Sequence, residues 1–297
     1  AAKLEAIQPY VSELQQRGVE VLYRPYVKSV ERHLKTSGAL YDLVILSRAD
    51  AAAQLMVAAR RYCPHARIVY DTVDLHFLRE QRLAVLTGDR ATRSLAAHRQ
   101  REELALIHQA DTTLVVSSVE RELLSQQAPD ADVRVVSNIH HVYGRRKPFA
   151  QRRDIFFIGA FAHPPNMDAV LWFCREIFPL VLADEPSMRC SVIGANPPAD
   201  ITKLASENLR IRGHLPDVSE FFDGCRLSVA PLRYGAGVKG KINQSLAFGL
   251  PVVATSQAVE GMFLEDGESV MIANQPRDFS DALLRLYSDQ PLWERVS

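Results

Sequence analysis

The chain has 297 residues, room for two domains at about 150 residues each. Its 35 Lys and Arg balance its 35 Asp and Glu, and that zero net charge argues against a dedicated nucleic-acid binder, which would be strongly basic. Apolar residues at 47% and charged residues at 24%, with neither a membrane-length apolar run nor a leader pattern, exclude disorder and predict a soluble, globular, intracellular protein.

The opening KLEAIQPYVSELQQRG, at 3–18, reads as a helix. Then come short β-branched or aromatic runs: VEVLY at 19–23, DLVILS at 42–47, ARIVY at 66–70, TTLVVS at 112–117 and VRVVS at 133–137. Helical spacing lies between them, as at 95–107, where Leu95, Leu104 and Ile107 share rows with alanines. Nearly continuous apolar strands joined by helices predict a parallel sheet covered on both faces. The stretch 143–154, YGRRKPFAQRRD, has five basic residues and no apolar period, and predicts a solvated interdomain linker. The expected domains are therefore 1–147 and 148–297. Alternation restarts with strands DIFFIG at 154–159, RCSVIG at 189–194, LRIRG at 209–213, RLSVAPL at 226–232, PVVAT at 251–255 and SVMIA at 269–273. Helices are expected at 165–182 and 276–287. Gly159 and Gly194 close two of these strands, where a missing side chain lets a ligand or a helix approach the backbone. The four cysteines (Cys63, Cys174, Cys190 and Cys225) are far apart, which argues against zinc and disulfides and for a reducing cytosol.

The informative segment is PLRYGAGVKGKINQSLAFGLPVVATSQAVEGM, at 231–262. A strand runs into glycines 235, 237 and 240, and a short helix follows that stops at Gly249, with Pro251 two residues on. Glycines before a helix allow backbone N–H groups to face an anion, and the helix dipole favours negative charge there. Lys239, Lys241 and Arg233 supply cations, so the pattern predicts a phosphate or pyrophosphate site. Gln244, three residues after Lys241, shares its face and is placed to bond a ribose. GAGVKG also fits the dinucleotide fingerprint, but Thr255, Ser256 and Gln257 stand where an acid should follow the next strand. That absence disfavours an NAD-dependent oxidoreductase. A Ser-His-Asp hydrolase is disfavoured because there is no G-x-S-x-G.

The same segment resembles the donor motif of the retaining GT-B glycosyltransferases of family 4 (glycosyl transferases group 1). FIGAFAHPPN, VIGANPP and GHLPD extend the resemblance upstream, and YDTVDLH, TLVVSSVE and VVSNIH carry it weakly into the first half. It implies an α/β fold of two Rossmann-like parallel-sheet domains facing a cleft, with a nucleotide sugar on the second and an acceptor mainly on the first. It further implies that Lys239 and the backbone at Gly235, Gly237 and Val238 hold the diphosphate, with Lys241 or Arg233 assisting. Gly159 and Gly194 would floor the donor site, His163 and Asn166 would approach the phosphates, and His214 would precede the turn contacting the base. No metal and no cofactor beyond the donor is implied, and Asp130 and Asp132 make no convincing Asp-x-Asp site. The implied partners are a nucleotide sugar and a glycan or lipid-linked acceptor, with no nucleic acid. The implied place is the cytoplasm, with peripheral contact at the inner face of the membrane where the acceptor is lipid-linked.

Three departures stand against this pattern. Ala236 and Gln244 replace the paired glutamates of many relatives. Val73 replaces a histidine, for which His76 is the candidate substitute. The family's opening strand has no counterpart, so the resemblance predicts a first domain truncated at its start. A non-catalytic GT-B-like module holding a nucleotide or glycan is the competing expectation.

Overall fold

The computed structural model describes residues 4–8 and 10–297. Ala1–Lys3 and Pro9 lie outside the described residues, Lys3 and Pro9 falling within the expected opening helix; the helix is seen over Tyr10–Gln16. Residues 4–8 are not helical, and Gln8 precedes a proline whose ring disfavours the α conformation in the residue before it. Two compact units are present: Ala1–Leu78 with Ala91–Val136, and Arg79–Arg90 with Ser137–Ser297.

The first unit holds four parallel strands, β1 (Leu43–Ser47), β2 (Arg67–Asp71), β3 (Thr112–Val115) and β4 (Val133–Val135), in the order β1-β2-β3-β4. The strand expected at 19–23 is a correction: it joins neither sheet. Backbone bonds around it run instead from Val19 N to Leu14 O and from Arg24 N to Leu4 O, both 3.0 Å. Strand composition counts for little without a neighbouring strand to pair with.

The second unit holds β5 (Ile155–Ile158), β6 (Cys190–Ile193), β7 (Leu209–Arg212), β8 (Leu227–Ala230), β9 (Val252–Ala254) and β10 (Met271–Ile272). All are parallel, in the order β10-β9-β8-β5-β6-β7. Ile155 and Phe157 enter one core cluster with Val192, Leu227 and Phe279, while Phe156 enters another with Phe222, Phe248 and Leu250. Successive residues of β5 are thus buried on opposite faces, which is why the strand reads as an unbroken apolar run. The helix expected at 165–182 is one continuous rod with a wide turn, Pro164–Trp172, Phe173–Ile177 and Phe178–Asp184. Pro179 carries no N–H for the ladder, and just before it Phe178 N bonds back five residues to Phe173 O.

Most of the expected linker at 143–154 is exposed, including Arg145, Arg146, Lys147 and Arg153, but it is anchored to the second unit near both ends. Tyr143 N and Gly144 N donate to Ala247 O at 2.7 and 2.9 Å, and the Tyr143 ring stacks on Phe248. Arg152 is fully buried and donates to Phe222 O at 2.7 Å and Lys147 O at 2.9 Å, beneath the Trp293 ring. Of the five basic residues in this stretch only Arg152 is buried, because aromatic and carbonyl partners are folded against it.

Candidate functional site

In the second unit β5, β6 and β7 run away from the centre in one direction and β8, β9 and β10 in the other. The order therefore reverses between β5 and β8, and in open parallel sheets ligands bind outside the carboxyl ends of the strands at that point. The chain leaves β5 at Gly159 and β8 at Pro231, so the two segments singled out by sequence meet at the switch point.

Around Gly159 the packing is close. A Cβ there would lie 2.8 Å from the Asn166 side chain and 2.8 Å from Lys241 Nζ. At Gly194 it would lie 2.2 Å from Gly159 O. Gly194 thus lets the ends of β5 and β6 approach, and Gly159 admits Asn166 and Lys241. Asn166 is buried in the Pro164–Trp172 helix, held by its Nδ2 donating to Ala160 O at 2.9 Å. Lys241 Nζ donates to Asn166 Oδ1 at 2.5 Å and sits 4.3 Å from the centre of the Phe157 ring. Loss of water, and secondly the charge of Lys239, bring the Lys241 ammonium down to about 7.

The loop after β8 is organised from behind by cations. Lys239 is buried at the start of the Gly240–Ala247 helix and donates to Ala236 O at 3.1 Å and Gly237 O at 2.5 Å. Arg82 donates from one guanidinium nitrogen to Gly235 O and from the other to Glu260, each at 2.7 Å. The Thr255 hydroxyl donates to Leu232 O. Three consecutive carbonyls, of Gly235, Ala236 and Gly237, are therefore occupied. In a trans peptide the N–H points opposite to its carbonyl, so the N–H groups of Ala236, Gly237 and Val238 face away from these cations. Among the described residues, those three N–H groups donate to nothing. Gly237 has φ +69°, a left-handed conformation that suits glycine.

The other expected residues are more dispersed. Arg233 is turned to the Pro164–Trp172 helix, where it pairs with Asp168, and that carboxylate holds its pKa above the usual arginine value. His163 is half-buried as the residue before that helix. His214 is exposed just beyond β7, the edge strand. Gln244 is half-buried on the same helix as Lys241. His76, in the first unit, has Nε2 3.4 Å from Asp74 Oδ1 at the start of the His76–Thr87 helix. Asp132 is bonded to Thr112, Arg67 and Arg134, and no cluster fit for a metal ion is present among the described residues. Arg82 and Glu260 were not singled out from sequence. Glu260 lies within the informative segment, but Arg82 lies 153 residues from Gly235 and carries no local signal.

Residues 152–289 match the family described as glycosyl transferases group 1. The matched stretch falls wholly within the second unit and includes the switch point. A protein of the cps region of Klebsiella pneumoniae, described as an uncharacterized 44.6 kDa protein, is 26% identical over 130 residues, or 41% of this chain and 34% of that one. Crystal structures of TarM and of Anabaena HepE with UDP-glucose both superpose with TM-score 0.72, at 14% and 15% identity. TarM matches over 89% of this chain and 52% of its own, HepE over 98% and 82%. The chain thus spans about half of TarM and about a third of the Klebsiella protein. At such identities the likeness is one of fold: both sheets are Rossmann-like, and the solved relatives are GT-B glycosyltransferases.

Proposed function

We propose that the protein is a nucleotide-sugar-dependent glycosyltransferase that retains anomeric configuration, in the manner of family 4. The observation that carries the reading is the match of residues 152–289 to glycosyl transferases group 1, coinciding with partnerless N–H groups at the switch point. HepE is solved with UDP-glucose, and S. aureus TarM with UDP and α-GlcNAc-glycerol. A nucleoside diphosphate sugar as donor and a glycan or lipid-linked acceptor are the corresponding substrates here. The relative from a cps region favours a role in polysaccharide synthesis. The acceptor stage belongs at the cytoplasmic side of a membrane if its acceptor is lipid-linked; no helix among the described residues is long and apolar enough to cross one.

In this reading the bond between the anomeric carbon and the diphosphate oxygen breaks as the acceptor oxygen attacks from the same face. The leaving phosphate oxygen takes the acceptor's proton. The protein's share is stabilisation of the departing diphosphate by the Ala236–Val238 backbone, the helix start and Lys241. Arg233 and Lys239 shape the surroundings of that site. One well-aimed donor is typically worth about 3–4 kcal/mol to such a step. With lysine and N–H groups carrying the charge, no metal or further cofactor takes part, and chelation leaves the rate unchanged.

The test is release of nucleoside diphosphate from a panel of UDP-, GDP-, dTDP- and ADP-sugars, with and without glycan acceptors, and the anomeric configuration of the product by NMR. Release with retention is expected. Inversion would remove the family 4 mechanism, and saturable binding without release would select the non-catalytic module, which the Ala236 and Val73 replacements favour.

A further inference from the structure

Arg82 reaches the loop after β8 from a distant part of the chain. It lies on the His76–Thr87 helix, whose residues from Arg79 onward are grouped with the second unit, as are Gly235 and Glu260. Its side chain is 22% exposed and its Glu260 partner 29%, so the pair is largely shielded. The planar guanidinium spans two acceptors at once, one from a loop carbonyl and one from a carboxylate. Glu260 lies just past the Ser256–Val259 helix that follows β9. The carboxylate fixes the fork, and the fork fixes the peptide between Gly235 and Ala236.

We propose that Arg82 is a positioning residue for the diphosphate site, setting the direction of the Ala236 N–H by holding the Gly235 carbonyl, with Glu260 as its brace. The inference rests on the reading of this loop as the site of the donor diphosphate. Lys239 holds the next two carbonyls from its place at the helix start, and Arg82 holds the Gly235 carbonyl. Glycine at 235 offers no side chain to restrain its own peptide. Without Arg82 the Gly235–Ala236 peptide is free to rotate, and the N–H that should meet the anion is no longer prepared. Arg82 acts through the loop and need not touch the ligand, because the carbonyl it holds and the N–H it aims lie on opposite edges of one peptide.

The experiment is calorimetric titration of the full chain with UDP, GDP, dTDP and ADP, repeated for Arg82→Ala, Arg82→Lys and Glu260→Gln. Thermal unfolding is measured in parallel without ligand. For the nucleotide that binds wild type, Arg82→Ala is expected to weaken affinity by about tenfold or more, the scale of a lost charged hydrogen bond. Arg82→Lys should recover part of the loss, and guanidinium ion at low millimolar concentration should restore Arg82→Ala toward wild type at an unchanged Tm. Unchanged affinity in Arg82→Ala overturns the inference alone. So does weaker binding that follows a lowered Tm and is not restored by guanidinium. A wild type that binds none of the four overturns the diphosphate reading and this inference with it.

Discussion

Two strand-to-helix turns, one in each unit, use the same device and finish it differently. After β2 the chain turns at Val73, at φ +64°, into the His76–Thr87 helix. There the protein supplies its own anions. Glu103 accepts from His76 N at 3.1 Å and Phe77 N at 2.6 Å, and Glu120 accepts from Leu75 N at 3.2 Å. Both carboxyl groups are buried. After β8 the corresponding N–H groups meet no carboxylate among the described residues; cations hold the carbonyls behind them instead. A helix start closed by internal glutamates is part of the scaffold. One ringed by Lys239, Lys241 and Arg82 with no internal acid on its N–H groups is prepared for an anion from outside.

Removing the internal anion should therefore cost stability, whereas removing a cation at the second turn should cost affinity. Glu103→Ala leaves the buried Phe77 N–H and the half-buried His76 N–H unsatisfied and is expected to destabilise by about 3 kcal/mol or more, read as a fall in Tm. Burial raises the Glu103 pKa and the Phe77 N–H opposes that, so the carboxyl is held in place by the bonds the substitution removes. No change in Tm would show that the two turns are not built on the same principle.

Lys241→Ala gives the complementary result. It is expected to weaken binding of the diphosphate by about tenfold or more while leaving Tm unchanged or raised, because a poorly hydrated ammonium beside Lys239 is removed. A loss of Tm with intact affinity would make Lys241 a structural residue.

Acidity sharpens the same contrast. The Lys241 pKa in the folded protein, about 7, lies below its ordinary 10.5. Between those values the unfolded chain binds more protons, so the contribution of Lys241 to stability improves as pH rises through that window. Anion binding runs the other way. A diphosphate draws the proton back onto Lys241, so affinity should fall as pH rises above about 7, by up to about tenfold per unit, with proton uptake seen by calorimetry in buffers of different ionisation heat. Lys241→Ala should flatten the profile, and a wild-type affinity independent of pH would contradict this account of the site.

Much of this was legible in the sequence where local pattern suffices. The six strands of the second unit, its Gly249 helix stop and the glycine-rich loop all follow from period and turn chemistry. The parts that were not legible depend on distant partners. The run at 19–23 has strand composition but no strand beside it. Within the exposed basic stretch at 143–154, the burial of Arg152 against Trp293 carries no local signal. Lys239 reads as a cation aimed at a ligand, yet it is bonded to the carbonyls of its own loop. Arg82 has no motif at all, since its role depends on Gly235 and Glu260 folding back to it.

Amide hydrogen exchange, with and without saturating nucleoside diphosphate, tests the central claim most directly. Amides of Ala236, Gly237 and Val238 should exchange fast in the free protein and slow on binding, while those of Leu75, His76 and Phe77 stay slow throughout. Protection at 236–238 without ligand, or none gained when a bound diphosphate is confirmed by calorimetry, would contradict the claim that this turn is left open for an external anion.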